Sequence, residues 1–159
     1  MKQRVPRRAW YSPAMAGHRP RVLVEDDRPA LAISDFSSFQ DAGFDVAICS
    51  GPGRDAQDCP LLRGQECVVL ARADAVLHGL DPALGIAEAI RQRHPDIAVL
   101  VERSRGADEG PQAAPAGSIP LPSPCSVPGQ VEALRRALAR QQDARRAVPG
   151  RDMAGHGFR

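Results

Sequence analysis

Three consecutive carboxylates, Glu25, Asp26 and Asp27, follow directly on the apolar run Val22-Leu23-Val24. Adjacent acids repel one another unless a cation or a basic group lies close by. The triplet therefore reads either as a hard-cation site or as a relic whose charges are solvated or paired with Arg28 or Arg103. A short, unbroken, valine-rich run is the pattern of a strand buried on both faces. Acids at its end then lie at the carboxyl edge of a parallel sheet, where open α/β folds place their ligands.

Other reactive side chains are scattered. Cys49, Cys59, Cys67 and Cys125 contain no Cys-x-x-Cys spacing and read as reduced, partly buried thiols. Cys59 and Cys67 would serve as a thiol switch, or with His78 as half a metal site, but seven intervening residues is not a common zinc spacing. His78 ends an apolar run and reads as a satisfied core residue. Gly51-Pro52-Gly53 resembles a phosphate-cradling loop only faintly, since Pro52 removes a backbone donor, and reads as a turn. No Ser-His-Asp order, Walker loop or zinc motif occurs. Trp10 and Tyr11 lie among arginines, an arrangement that can stack on bases, but their segment lacks periodicity and nucleic-acid binding is not expected.

Composition bounds what can hold these groups in place. The 159 residues suit one domain with tails, 43% are apolar and only 4% aromatic, so the core must be aliphatic. Residues 1–19 and 140–159 together carry ten basic side chains against two acids, whereas the body between them carries 11 arginines against 17 acids. Residues 1–19 and 141–159 are expected to be disordered basic tails around a domain at 20–140. Met15 is an alternative start. No run approaches membrane-span length and no apolar segment follows the basic N-terminus, so a cytoplasmic protein is expected.

Strands and helices alternate through the body. Strands are predicted at about Arg21–Val24, Phe44–Cys49, Asp74–His78, Ile97–Val101 and Ile119–Leu121, the last demoted to an edge by Pro120. A helix is predicted from Pro29 to Asp41, with Asp27 as cap, Ile33, Phe36 and Phe39 on its buried stripe, and Gly43 ending it. A second runs from Pro82 to Arg93, stopped by His94-Pro95. A last begins after Ser126 and ends near Arg140, with Val127, Val131, Leu134 and Leu138 inward. Residues 54–72 allow helix or strand. In 102–117 the apolar pattern dissolves, so the helix due there, fourth in order, is degenerate. The alternation predicts a three-layer, flavodoxin-like (βα)5 domain with a five-stranded parallel sheet.

From Arg21 to Arg140 the chain resembles the receiver domain of two-component response regulators. The resemblance rests on Val22-Leu-Val-Glu-Asp-Asp27, Ala42-Gly-Phe-Asp-Val46 and Ile90-Arg-Gln-Arg-His-Pro-Asp-Ile-Ala-Val-Leu-Val101, in that order and spacing. It implies a phosphoacceptor aspartate after the third strand, Mg²⁺ held by that residue and an acidic pair after the first, a hydroxyl after the fourth, and Lys-Pro at the end of the fifth. Mg²⁺ and lysine would neutralise the phosphoryl oxygens during transfer. Glu25 and Asp26 match the acidic pair. Gly79 falls at the acceptor position, or Ala71 if Glu66–Leu70 is the strand. Ser123-Pro124 replaces Lys-Pro, and the hydroxyl position reads Arg103 or Ser104. Lys2 is the only lysine in the sequence.

The resemblance therefore implies a degenerate pseudo-receiver: a stand-alone signalling module of phosphorelay type, phosphorylation-independent, acting by protein–protein contact. No catalytic residue and no cofactor is expected, apart from weak Mg²⁺ at Glu25 and Asp26. The implied partner is a sensor kinase or a transcription regulator, with a homodimer open. Its contact face would include Ile119–Leu121 and the outward side of Gln130–Arg140. Two alternatives stand: a phosphate-accepting regulator using Asp81 or an acid of the Glu25–Asp27 cluster, and a redox sensor through Cys59 and Cys67.

Overall fold

A computed structural model describes residues 19–53, 55–104 and 114–147. Five parallel strands, β1 (Arg21–Glu25), β2 (Asp45–Cys49), β3 (Ala75–His78), β4 (Ala98–Ser104) and β5 (Ile119–Ser123), form one sheet in the order β2-β1-β3-β4-β5. Among the described residues three α-helices accompany them: α1 (Pro29–Asp41), α2 (Ile86–Arg93) and α3 (Val127–Ala147). This is the flavodoxin-like architecture expected. The chain steps from β1 to one side and then crosses back to β3, so strand order reverses between β1 and β3. Such a switch point opens a crevice at the carboxyl ends of those two strands.

Alternation along the strands divides the core between the faces of the sheet. Val22, Val24, Val46, Ala75, Leu77 and Leu100 face α1 and α3, joining Phe39, Leu134 and Leu138 in one cluster. Leu23, Ala47, Val76, Val99 and Val101 face the other way, onto Ile86 and Ile90 of α2 and onto Leu61 and Leu70. The ambiguous stretch after β2 makes short 3₁₀ turns, Ala56–Asp58 and Leu70–Arg72, rather than a full helix or strand. Leu61 and Leu70 nonetheless plug the layer that a helix would cover. The degenerate helix expected after β4 falls mainly on residues 105–113, outside the described residues, as do the basic stretches 1–18 and 148–159.

Several local details differ from expectation. The N-cap of α1 is Arg28, without a side-chain cap bond, and not Asp27. Asp26 instead fixes the turn, because its Oδ1 accepts the Arg28 N–H at 2.8 Å. Ile33 is 66% exposed and does not belong to the buried stripe, which is carried by Ala32, Phe36 and Phe39. The helix ends as predicted at Gly43 (φ 97°). The Gly43 N–H donates to the carbonyl of Gln40 and that of Phe44 to Phe39, a Schellman pattern. The Phe39 and Phe44 rings meet edge to face at 6.4 Å, the apolar contact that accompanies that motif.

The helix predicted from Pro82 is split. Pro82–Leu84 is a 3₁₀ turn, Gly85 sits at φ 67°, and α2 starts at Ile86. A left-handed residue cannot continue either helix, so glycine at that point sets the break. At the other end, α3 runs past Arg140 to Ala147, so residues 141–147 are helical. Ser126 starts it as expected, its Oγ accepting the Gly129 N–H at 3.3 Å.

Phe39 is fully buried, and Phe39→Ala is expected to cost about 3–5 kcal/mol in urea unfolding. Ile33→Ser is expected to change stability by no more than about 0.5 kcal/mol. A large loss at Ile33 would restore that residue to the buried stripe.

Candidate functional site

The crevice at the carboxyl ends of β1 and β3 gathers Glu25, Asp26, Arg28, His78 and Gly79. Strand register dictates the first pairing. Glu25 lies opposite His78 in the parallel ladder, and registered neighbours project to the same face. The Glu25 Oε2 and His78 Nδ1 atoms are 2.6 Å apart, with both side chains almost wholly buried. A carboxylate can only accept, so in that state Nδ1 carries the shared proton. His78 is thus the satisfied core residue that the sequence suggested, and Glu25 is what satisfies it.

Asp26 turns to Arg28. Its Oδ1 accepts from the Arg28 backbone N–H at 2.8 Å and from Nε at 2.9 Å, and Oδ2 accepts from Nη2 at 2.9 Å. The guanidinium fork matches the carboxylate plane, the strong geometry for this pair. Asp26 is buried, whereas the Arg28 side chain is 56% exposed. Hydrogen bonding to Asp26 pushes the Arg28 pKa above its ordinary value; partial burial opposes this, and the charges of Asp26, Glu102 and Asp27 add to it. Of the two arginines considered as partners of the acidic pair, Arg28 holds the position. The Arg103 side chain lies outside what is described.

Gly79 sits beside Asp26. Its N–H donates to the Glu25 carbonyl at 2.8 Å, carrying the β1–β3 ladder one residue past the strands. A Cβ placed on Gly79 would lie 3.2 Å from the Glu25 carbonyl oxygen and 4.0 Å from Asp26 Oδ2. A side chain at 79 would therefore project alongside Asp26, and glycine supplies none. Asp81 is exposed, and its Oδ1 accepts the Ala83 N–H at 2.9 Å, capping the 3₁₀ turn. Asp27 is exposed beside the crevice. Ser104 and Ser123 are paired in register at the ends of β4 and β5.

The expected residual Mg²⁺ site meets a structural objection. Mg²⁺ keeps near-octahedral oxygen coordination and needs carboxylates free to face it. Here Glu25 is committed to His78, both Asp26 oxygens to Arg28, and position 79 offers no carboxylate. Among the described residues no group of three His, Cys, Asp or Glu side chains is arranged to hold a metal. As arranged, these donors do not fit the ion.

Farther out, Glu102 of β4 accepts from Gln130 Nε2 of α3. Burial, and secondarily Glu102, push up the Cys125 thiol, which keeps it protonated and a weak nucleophile. None of the four cysteines forms a disulfide and all are half-buried, and Cys59 and Cys67 both pack against the α2-side core. Burial raises Asp35 on α1 above the ordinary aspartate value, with Asp26 adding and Arg28 opposing. The sequence reading missed the Glu25–His78 pair and the Glu102–Gln130 contact. The available signal for the first was that Glu25 and His78 each lie four residues after the starts of the predicted strands, Arg21 and Asp74.

No family model matches the chain, and no curated protein matches it. Solved structures do. A response regulator receiver domain protein from Clostridium thermocellum is 19% identical, with a TM-score of 0.59 over 79% of this chain and 98% of that one. A CheY-like receiver domain protein from Methanospirillum hungatei is 16% identical, with a TM-score of 0.59 and the same coverage. The signal receiver domain of a LuxO repressor protein from Vibrio parahaemolyticus is also 16% identical, with a TM-score of 0.60 over 83% and 99%. The chain therefore has the fold of response-regulator receiver domains. No helix among the described residues is long and apolar enough to cross a membrane.

Removing one partner of a buried pair strands the other. Glu25→Ala, which leaves the buried His78 donor unsatisfied, is accordingly expected to lose about 1–3 kcal/mol in urea unfolding, and Glu25→Gln, which keeps an acceptor, distinctly less. Equal losses would show that Glu25 acts by packing alone. Asp35 supplies a pH signature. Its folded pKa lies above its unfolded one, so the native state binds the proton more tightly and stability falls as pH rises between the two values. Asp35→Asn is expected to melt higher than wild type at pH 7, with the gap closing as pH falls through that window. A gap that persists below the ordinary aspartate value would contradict the assignment.

Proposed function

We propose that the chain is a receiver-fold signalling module that works without phosphorylation, through contact with a protein partner. The observation that carries this reading is at Gly79: a side chain there would lie beside Asp26, where the resemblance implies the acceptor aspartate, and glycine supplies none. Support comes from Ser123 where the resemblance implies lysine, and from the prior engagement of Glu25 and Asp26 by His78 and Arg28. Without acceptor, lysine or free metal ligands, the charge stabilisation that phosphoryl transfer needs is missing. The module is accordingly not an enzyme in this reading.

The partner is a protein, either a sensor kinase or a transcription regulator. The contact face we favour joins β5 to the outer side of α3, where Arg136 and Arg140 are exposed. Pro120 and Pro122 are exposed on the edge strand β5, and proline there opposes docking by strand addition. A partner, including a second copy, would then engage side chains rather than extend the sheet.

Incubation with acetyl phosphate and Mg²⁺ followed by intact-mass measurement tests the reading. The expected spectrum shows no phosphoryl adduct. A stable adduct that disappears in Asp81→Asn would instead establish a phosphate-accepting regulator using Asp81.

A further inference from the structure

We infer that Arg28 takes the place of a divalent cation at the carboxyl edge of this sheet, neutralising Asp26 from within the chain and keeping metal ions out. Three features of the geometry lead there. The guanidinium covers both oxygens of Asp26, at 2.9 Å each. The Arg28 backbone N–H binds the same carboxylate at 2.8 Å, so the turn that leads into α1 holds the cation in place. A group tethered two residues away competes at a high effective concentration and loses little freedom on pairing, whereas a metal ion must shed water to enter.

The surroundings fit this role. Asp26 comes from the end of β1, Asp27 from the turn, Asp35 from α1 and Glu102 from β4, and Arg28 interacts with all four. His78 answers only Glu25. Removing the guanidinium would therefore free both oxygens of Asp26 and take away the positive charge that the other three carboxylates feel. A field of that sign draws cations in. Arg28 is more than half exposed, so its replacement leaves the apolar core intact.

The inference deepens the reading of the crevice as closed to phosphoryl chemistry, but its test uses no phosphoryl donor, so either idea can fail alone. The probe is Mn²⁺, whose unpaired electrons broaden nearby amide signals. The full-length protein, its Arg28→Ala variant and an Arg28→Lys variant are titrated and followed by amide correlation spectra, which also report whether each variant is folded. In wild type the amides of Asp26, Asp27, Gly79 and Leu80 are expected to broaden no earlier than the rest of the surface. In Arg28→Ala they should broaden first, at about tenfold less Mn²⁺ than wild type requires, as loss of charge-assisted hydrogen bonds to Asp26 implies. Excess Mg²⁺ should reverse the effect, and Arg28→Lys should fall between. Selective broadening of the wild-type crevice at the same Mn²⁺ concentration as in Arg28→Ala would overturn the inference. So would an Arg28→Ala titration indistinguishable from wild type.

Discussion

Two carboxylates sit at the end of a buried interior strand of the sheet, and the rest of the crevice is arranged around satisfying them. β1 has strands on both sides and apolar cover on both faces. Charges leaving such a strand are shielded from water and cannot stay bare without a large penalty. The chain supplies one counter-group for each: His78, brought alongside Glu25 by strand register, and Arg28, brought back onto Asp26 by a tight turn. The two solutions differ in kind. The first is deep in the protein and breaks only at high cost, whereas the second reaches the surface, where solvent screens it and its contribution to stability is modest. Glu25 therefore belongs to the framework, and Asp26 is where the chemistry of the edge can still be altered.

The opposite end of the sheet shows the same problem solved for structure alone. Arg21 is buried at the start of β1, its Nε 3.6 Å from Asp45 Oδ2 of β2, and its backbone N–H donates to Asp74 Oδ2 at 2.8 Å. Those contacts tie β1 to β2 and to the approach to β3. Helix α1 is secured likewise: it has no basic residue in its last turn, but Arg19 and Arg135 donate to the carbonyls of Gln40 and Ala42 at its end. Cations brought from elsewhere in the chain thus meet the partial negative charge of that helix terminus. Arginine does this work throughout a domain that contains no lysine.

The sheet was legible because its signals are periodic and local. Val22–Val24 and Val99–Val101 could be nothing but buried strands, and the four-three-four spacing of Val127, Val131, Leu134 and Leu138 placed α3 on the sheet. The order of motifs favoured a third strand ending at His78, just before Gly79, over one at Glu66–Leu70, and β3 ends there. What escaped was set by tertiary contact or by single-residue geometry. Ile33 has the helical spacing of a core residue but is largely exposed, since the stripe is narrower than its apolar letters suggest. The helix expected from Pro82 is cut by Gly85, whose left-handed backbone no propensity sum reveals. The apolar residues after β2 carry no period because turns, not a helix, deliver Leu61 and Leu70 to the core. The Glu25–His78 pair joins residues 53 apart in sequence, and only strand register brings them together.

Among the described residues, the carboxyl edge of the sheet has Glu25 and Asp26 already engaged by His78 and Arg28 and no side chain at position 79, which in the proposed reading leaves a phosphoryl group nowhere to settle. The most direct measurement is an amide correlation spectrum of the full chain before and after addition of Mg²⁺ with beryllium trifluoride, a phosphoryl analogue that settles on a free, metal-assisted carboxylate. Superimposable spectra are expected, with the signals of Asp26, Gly79 and Glu102 unmoved. A new, saturable set of shifts clustered at the carboxyl ends of β1, β3 and β4 would contradict the proposed reading.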